Sequence, residues 1–463
     1  MTTREEADSL GIVHVPESAY YGAQTQRASE NFPISRLRLP PVFIRSLALI
    51  KQCAARVNQE LGLIPEEKAR AIIRAGGEVA GGGMAEQFIV DVFQTGSGTS
   101  TNMNMNEVIA ARANEILTGS RQTKGAVHPN DDVNRCQSSN DVIPSCIHIA
   151  ALASIRQQLL PALAGLRESL EEKAGAFAHI EKIGRTHLQD AVLMSLGNEF
   201  TGYAGQIERS IQRLEDVQER LSELALGGTA VGTGLNAHPR FAPMTIAEIS
   251  RASGISFSET PNHFESQGAC DGAVEASGAL KAAAVSMSKA ANDIRWLASG
   301  PRCGLGEINL PELQPGSSIM PGKVNPVIPE ALLQACAQVI GNDSAITIGG
   351  QGGYFELNTM LPLIAHNLLE SIELLANGAA VMTEKCVRGI TANREQCSAN
   401  IEKSLAIVTH LVPHIGYDRA AALAKKAYET GRTVEAAALE EGVLEPEKLR
   451  EALYGVKSRE NEV

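Results

Sequence analysis

The segment GSSIMPGKVNP, residues 316–326, holds two serines, two glycines, two prolines and one lysine, and it has no helical period. Lys323 is its only charge. Backbone amides of a glycine- and serine-rich turn can form a concavity that binds an anion, and a lysine beside them adds a cation. The GxxxxGK[ST] order of a nucleotide-binding loop is absent. The same composition also describes a surface lysine on a mobile loop, so the rest of the chain has to decide between the two.

Four more islands rich in Gly, Ser, Thr and Asn interrupt helical patterns. They are TGSGTSTNMN (95–104), HPNDDVNRCQSSND (128–141), GRTHLQD (184–190) and GGTAVGTGLN (227–236). Any one of them reads as a connector. Together with segment 316–326 they supply many neutral donors and few charges, which suits a small polyanion whose oxygens each need hydrogen bonds. His187 follows Thr186 and is expected to start an amphipathic helix, at a polar edge where a carboxylate could orient it for proton transfer. Glu330 lies seven residues after Lys323, where the helix of PEALLQACAQVIG starts. A glutamate there complements the helix dipole, or it faces inward and pairs with a histidine.

The elements that must position these residues read as helices. Aromatic residues are 4% of the 463, alanine is abundant, and this mix favours packed helices over β-sandwiches. Helical patterns run over 42–117, interrupted by AGGEVAGGG (75–83) and QTGSGTSTN (94–102), and over 142–178 with a break expected at Pro161. Others cover 190–225, 328–344 and 360–385, while residues 1–40 read mainly as loop and turn. Ala273, Ala276, Leu280, Ala283, Met287, Ala290, Ile294 and Leu297 keep alternating steps of three and four, a heptad seam. A helix over 263–299 would be about 55 Å long at 1.5 Å per residue, and its narrow alanine seam implies a bundle with helices shared between subunits. The tail, 392–463, reads as a small separate helical domain.

Net charge is −12 with no basic stripe, which argues against a nucleic-acid partner. The eight cysteines form no CxxC, so neither a zinc ribbon nor an iron–sulfur cluster is indicated. They read as reduced, mostly buried thiols of a cytoplasmic protein. MTTREEADSL has no apolar core of a signal peptide, and without a run of 18 apolar residues no membrane span is expected.

On these residues the chain resembles the fumarase/aspartase superfamily. GSSIMPGKVNP matches its signature loop, and TGSGTSTNMNMNEV, VHPNDDVNRCQSSNDVIP, IGRTHLQDA, GGTAVGTGLN, RWLASGPRCG and GGYFELN agree with it. QSSND and FELN resemble the class II, metal-free fumarases, whereas YYG and NPVIPE resemble aspartases. Cys136 stands where a serine is common, and Gly125 where some bacterial members have arginine. The resemblance implies an all-α subunit of three domains (1–138; a central five-helix bundle, 139–391; and 392–463). Four such subunits would form a homotetramer with a twenty-helix core and active sites shared by three subunits.

It further implies reversible hydration of fumarate to L-malate in the tricarboxylic acid cycle, with no cofactor and no metal. Ser317 would be the catalytic base, His187 the second catalytic residue and Glu330 its relay partner. Ser97, Gly98, Thr99, Ser138, Ser139, Asn140, Thr186, Ser318, Lys323, Val324 and Asn325 would bind the dicarboxylate. His128, Pro129, Asn130 and Asp131 would form a second, non-catalytic dicarboxylate site. Two alternatives remain on the sequence: an aspartate ammonia-lyase on the same scaffold, and a helical scaffold without activity, like the related lens proteins.

Overall fold

A computed structural model describes residues 2–121 and 124–455. The chain is mostly helical, with short two-stranded sheets between helices. It divides into two compact units. One comprises residues 1–163, 209–285 and 334–378, the other 164–208, 286–333 and 379–463. Five helices have residues in both: Leu160–Ala176, Leu196–Asp216, Asp271–Leu297, Val327–Gly350 and Leu361–Lys385.

The first unit is built on the helix Pro41–Glu60, with proline at its first position, where no amide bond is lost. Phe43, Leu47, Ile50, Ala54 and Val57 repeat at steps of four and three and are fully buried. The helices Glu66–Ala80, Ser139–Ser154 and Phe241–Ser253 pack on it. Of the glycines expected to interrupt a helix at 75–83, Gly76 and Gly77 lie within Glu66–Ala80, and the helix ends at its C-cap Gly81. A Cβ on Gly76 would come within 2.7 Å of Gln52 Cγ, so the glycine serves close helix packing. Residues 1–40 are more regular than expected: Thr3–Asp8 and Gly11–Pro16 form an antiparallel hairpin, and Ala23–Asn31 is a helix.

Pro161 does not break its helix. The five-residue π turn Ile155–Leu159 precedes it and absorbs the missing amide hydrogen bond, so helical structure continues from Ser139 to Ala176. By length and composition this run could cross a membrane, but half of its most apolar window is buried within the protein, as in a core helix. The expected long helix over 263–299 is interrupted: His263–Gly268 ends at an extended Ala269, and Asp271–Leu297 follows, about 40 Å long. All eight heptad-seam residues of that helix are buried.

The second unit contains the antiparallel hairpin Glu181–Thr186/Gln189–Ser195, which replaces the start of the helix expected from 190. Tail residues form their own core of Ile401, Ile407, Leu411, Leu423, Val434, Leu449 and Leu453, joined by Ile183 of the hairpin. The eight cysteines are free, and all but Cys303 are buried.

Candidate active site

In the first unit, three polar islands come together. The helix Thr99–Thr118 begins after Gly98, and the helix Ser139–Ser154 begins after Ser138. Thr99 Oγ1 lies 2.6 Å from Ser139 Oγ and 2.8 Å from Ser97 Oγ. Two helix N-termini thus meet at hydroxyl groups, and although Asn140 N is capped by Ser138 Oγ and Thr101 N by Gln94 Oε1, the positive ends of both helix dipoles favour an anion there. Asn140 donates through Nδ2 to Ala230 O at 2.8 Å, which brings in the 227–236 island.

The buried carboxylate of Asp141 fixes this arrangement. It accepts from the amides of Ser138 (2.9 Å), Gly227 (3.0 Å) and Thr229 (3.0 Å), closing a capping box with Ser138 and clamping two islands. Burial pushes the Asp141 carboxyl above its usual range, against the pull of those amides and of Lys51. Lys51, fully buried, donates to Asn134 Oδ1 (2.9 Å) and Gln137 Oε1 (3.0 Å) on the other side of the same segment. Burial lowers its ammonium to about 7. Sequence reading missed both residues. The S-x-x-D spacing of Ser138 and Asp141 is a capping-box pattern that could have found the first, but nothing in the sequence marks a buried lysine.

His128 caps the turn Pro129–Val133, its Nδ1 accepting from the amides of Asn130 (3.3 Å) and Asp131 (3.2 Å). The same Nδ1 lies 3.2 Å from Asp131 Oδ2. His128, Pro129 and Asn130 line a cavity of about 540 Å³ with Arg27 and Lys124, while Asp131 is exposed beside it.

In the second unit, Thr186 and Gln189 pair, and His187 and Leu188 form the two-residue tip of the hairpin. Both have positive φ (56° and 59°), the conformation of a tight hairpin turn. His187 is therefore at a turn, not at a helix edge, and is exposed.

Segment 316–326 is an irregular loop before the helix Val327–Gly350. Ser317 Oγ accepts from the amides of Ile319 (3.3 Å) and Met320 (3.0 Å). Gly316 N donates to Lys323 O at 2.9 Å, and Asn325 Nδ2 donates to Gly316 O at 2.5 Å. A Cβ on Gly316 would sit 2.2 Å from Lys323 O, so this closure needs glycine. Asn325 thus braces the loop. Ser318, Lys323 and Val324 are exposed. Glu330 lies in the first helical turn, and no hydrogen bond joins it to His187 among the described residues.

The lyase family profile matches residues 11–341, and the fumarase C C-terminal profile matches 407–454. A class II fumarate hydratase of Nitrosomonas europaea is 55% identical over 96% of each chain. The chain belongs to the class II fumarase family. Solved structures of the family agree. A class II fumarase of Schistosoma mansoni superposes with a TM-score of 0.94 at 39% identity, covering 98% of each chain. A fumarate lyase:delta crystallin of Brucella melitensis gives 0.93 at 48%, again over 98% of each. The family's signature loop and its histidine hairpin lie together in the second unit, and its helix-terminal hydroxyls lie in the first.

Proposed function

We propose that this chain hydrates fumarate reversibly to L-malate, as a cytoplasmic fumarate hydratase of the tricarboxylic acid cycle. The observation that carries this reading is 55% identity to a class II fumarate hydratase over nearly the whole length of both chains. Read from malate, a base takes the C3 proton and charge moves into the adjacent carboxylate, giving an aci-carboxylate. Hydroxide then leaves C2 as a proton is delivered to it.

Ser317 is the base in this scheme. A serine needs its alkoxide stabilised, and the two amides already aimed at its Oγ supply that. Lys323, with no ion-pair partner among the described residues, provides the cation for the aci-carboxylate. His187 delivers the proton at C2, with Glu330 as its relay partner. Ser97, Thr99, Ser138, Ser139, Asn140 and Thr186 hold the carboxylates, and His128, Asn130 and Asp131 hold a second dicarboxylate.

Leu188 is 72% exposed and Ile319 82% exposed, each beside a proposed catalytic group. Their exposure supports a homotetramer in which three subunits complete each site. The five helices shared by the two units lie within 139–391, which supports a central bundle between domains 1–138 and 392–463. Eight free cysteines support a reducing cytoplasm.

Absorbance of fumarate, followed with L-malate and separately with L-aspartate, tests the reaction. Fumarate formed from malate alone is expected; fumarate from aspartate alone overturns the reading. Size-exclusion chromatography should show a tetramer of the 49.1 kDa chain; an active monomer would overturn the shared site.

A further inference from the structure

Glu307 is fully buried and joins several segments around the histidine hairpin. Its Oε1 accepts from Arg185 Nη2 at 2.6 Å and from Asn400 Nδ2 at 3.1 Å, and its Oε2 accepts from Arg185 Nη1 at 3.0 Å. Lys182 Nζ, also fully buried, lies 3.2 Å from Oε2 and donates to Glu199 Oε1 at 2.7 Å. The Glu307 backbone is held too: its amide donates to Leu297 O at 2.8 Å, and its carbonyl accepts from Asn393 N at 2.9 Å. The end of the helix Asp271–Leu297, the hairpin and the tail thus share one residue.

The hairpin is shaped for this contact. Lys182 and Arg185 are three residues apart, and in an unbroken strand they would point to opposite faces. The register shifts between Ile183 and Arg185. The extra residue is on the partner strand, where Ala191 and Val192 face Gly184 alone, and the local twist such a bulge adds accompanies the shared approach of Lys182 and Arg185 to Glu307. A Cβ on Gly184 would lie 3.0 Å from Val192 O. Two cations therefore reach one carboxylate, and Arg185 does so with both arms of its guanidinium, which fixes direction as well as distance. The next residues are Thr186 and His187, at the turn.

Apolar side chains of similar volume would hold a core as firmly as buried ion pairs do. They would not orient the end of a strand. We propose that Glu307 is a positioning residue for His187, and that through Asn400 the C-terminal tail is part of the scaffold of that histidine. This inference rests on the assignment of His187 to proton transfer at C2.

The tests are Glu307→Gln and Asn400→Ala in the full-length enzyme, each assayed for kcat and KM with L-malate per mole of folded tetramer. Amide hydrogen exchange of residues 182–190 is measured alongside. With the imidazole misplaced, kcat of Glu307→Gln falls by about 10²-fold with KM little changed. Exchange across the hairpin tip quickens at the same time. Asn400→Ala removes the bond to Glu307 and the one Asn400 Oδ1 accepts from Gln396 Nε2 at 2.9 Å, and lowers kcat by about two- to tenfold, with the same change in exchange. A Glu307→Gln enzyme that melts earlier but keeps kcat overturns the proposal. If that variant does not fold, unchanged kcat and exchange in Asn400→Ala overturn it. Full activity in His187→Asn would instead overturn the assignment of the histidine, independently of either result.

Discussion

Thr99 and Ser139 are each the first residue of a helix, and their hydroxyl oxygens lie 2.6 Å apart. The helices come from islands forty positions apart in the chain, so two helix N-termini face one place. Two helix N-termini that present neutral hydroxyl donors suit a carboxylate, which is the role proposed for them.

Thr99→Val keeps the shape of the side chain and removes its hydroxyl. Carboxylate binding that is the same in ground and transition states appears in KM. KM for L-malate is expected to rise about tenfold, the worth of roughly one hydrogen bond to a charged group, with kcat within about threefold. Steady-state kinetics checks this; an unchanged KM would remove Thr99 from the substrate contacts.

Ser317→Ala deletes the oxygen toward which the Ile319 and Met320 amides point. The loop keeps its closure through Gly316, Lys323 and Asn325, so the fold and assembly should persist while fumarate hydration is lost. Activity and size-exclusion measurements on one preparation decide it, and full activity would take serine out of the role of base.

Lys323→Ala removes the loop's only charge. Loss of a donor to a developing oxyanion lowers kcat by about 10²- to 10³-fold. The pre-steady-state rate of fumarate formation from malate measures that step directly, and a rate equal to the parent's would contradict the assignment.

Helix periodicity was legible in the sequence because it repeats. The seam from Ala273 to Leu297 is buried throughout. Interruptions were less legible, because they depend on contacts distant in sequence. Gly76 looks like a helix breaker until Gln52 is seen against it. His187 looked like the start of a helix because the strand after it is short and runs straight into Leu196–Asp216. The polar islands were legible as a group of donors. What holds them was not: Asp141, Lys51 and Glu307 act through backbone amides and buried partners far away in the chain.

Lys51 offers a test of that hidden support. Its Nζ has two acceptors, Asn134 Oδ1 and Gln137 Oε1, and a neutral amine can donate to both. Burial holds its folded-state pKa at about 7, below the ordinary 10.5. Between those values the unfolded chain binds more protons than the folded one, so stability from this group rises with pH. Below pH 7, where both states are protonated, its burial penalty is fully present. Lys51→Met carries no such proton. The stability of the parent relative to Lys51→Met is therefore expected to increase steadily from pH 7 to pH 10. Denaturant midpoints of the two proteins across that range measure the difference. A flat or falling difference would mean that Lys51 stays charged in the fold, with Asp141 as its counter-ion.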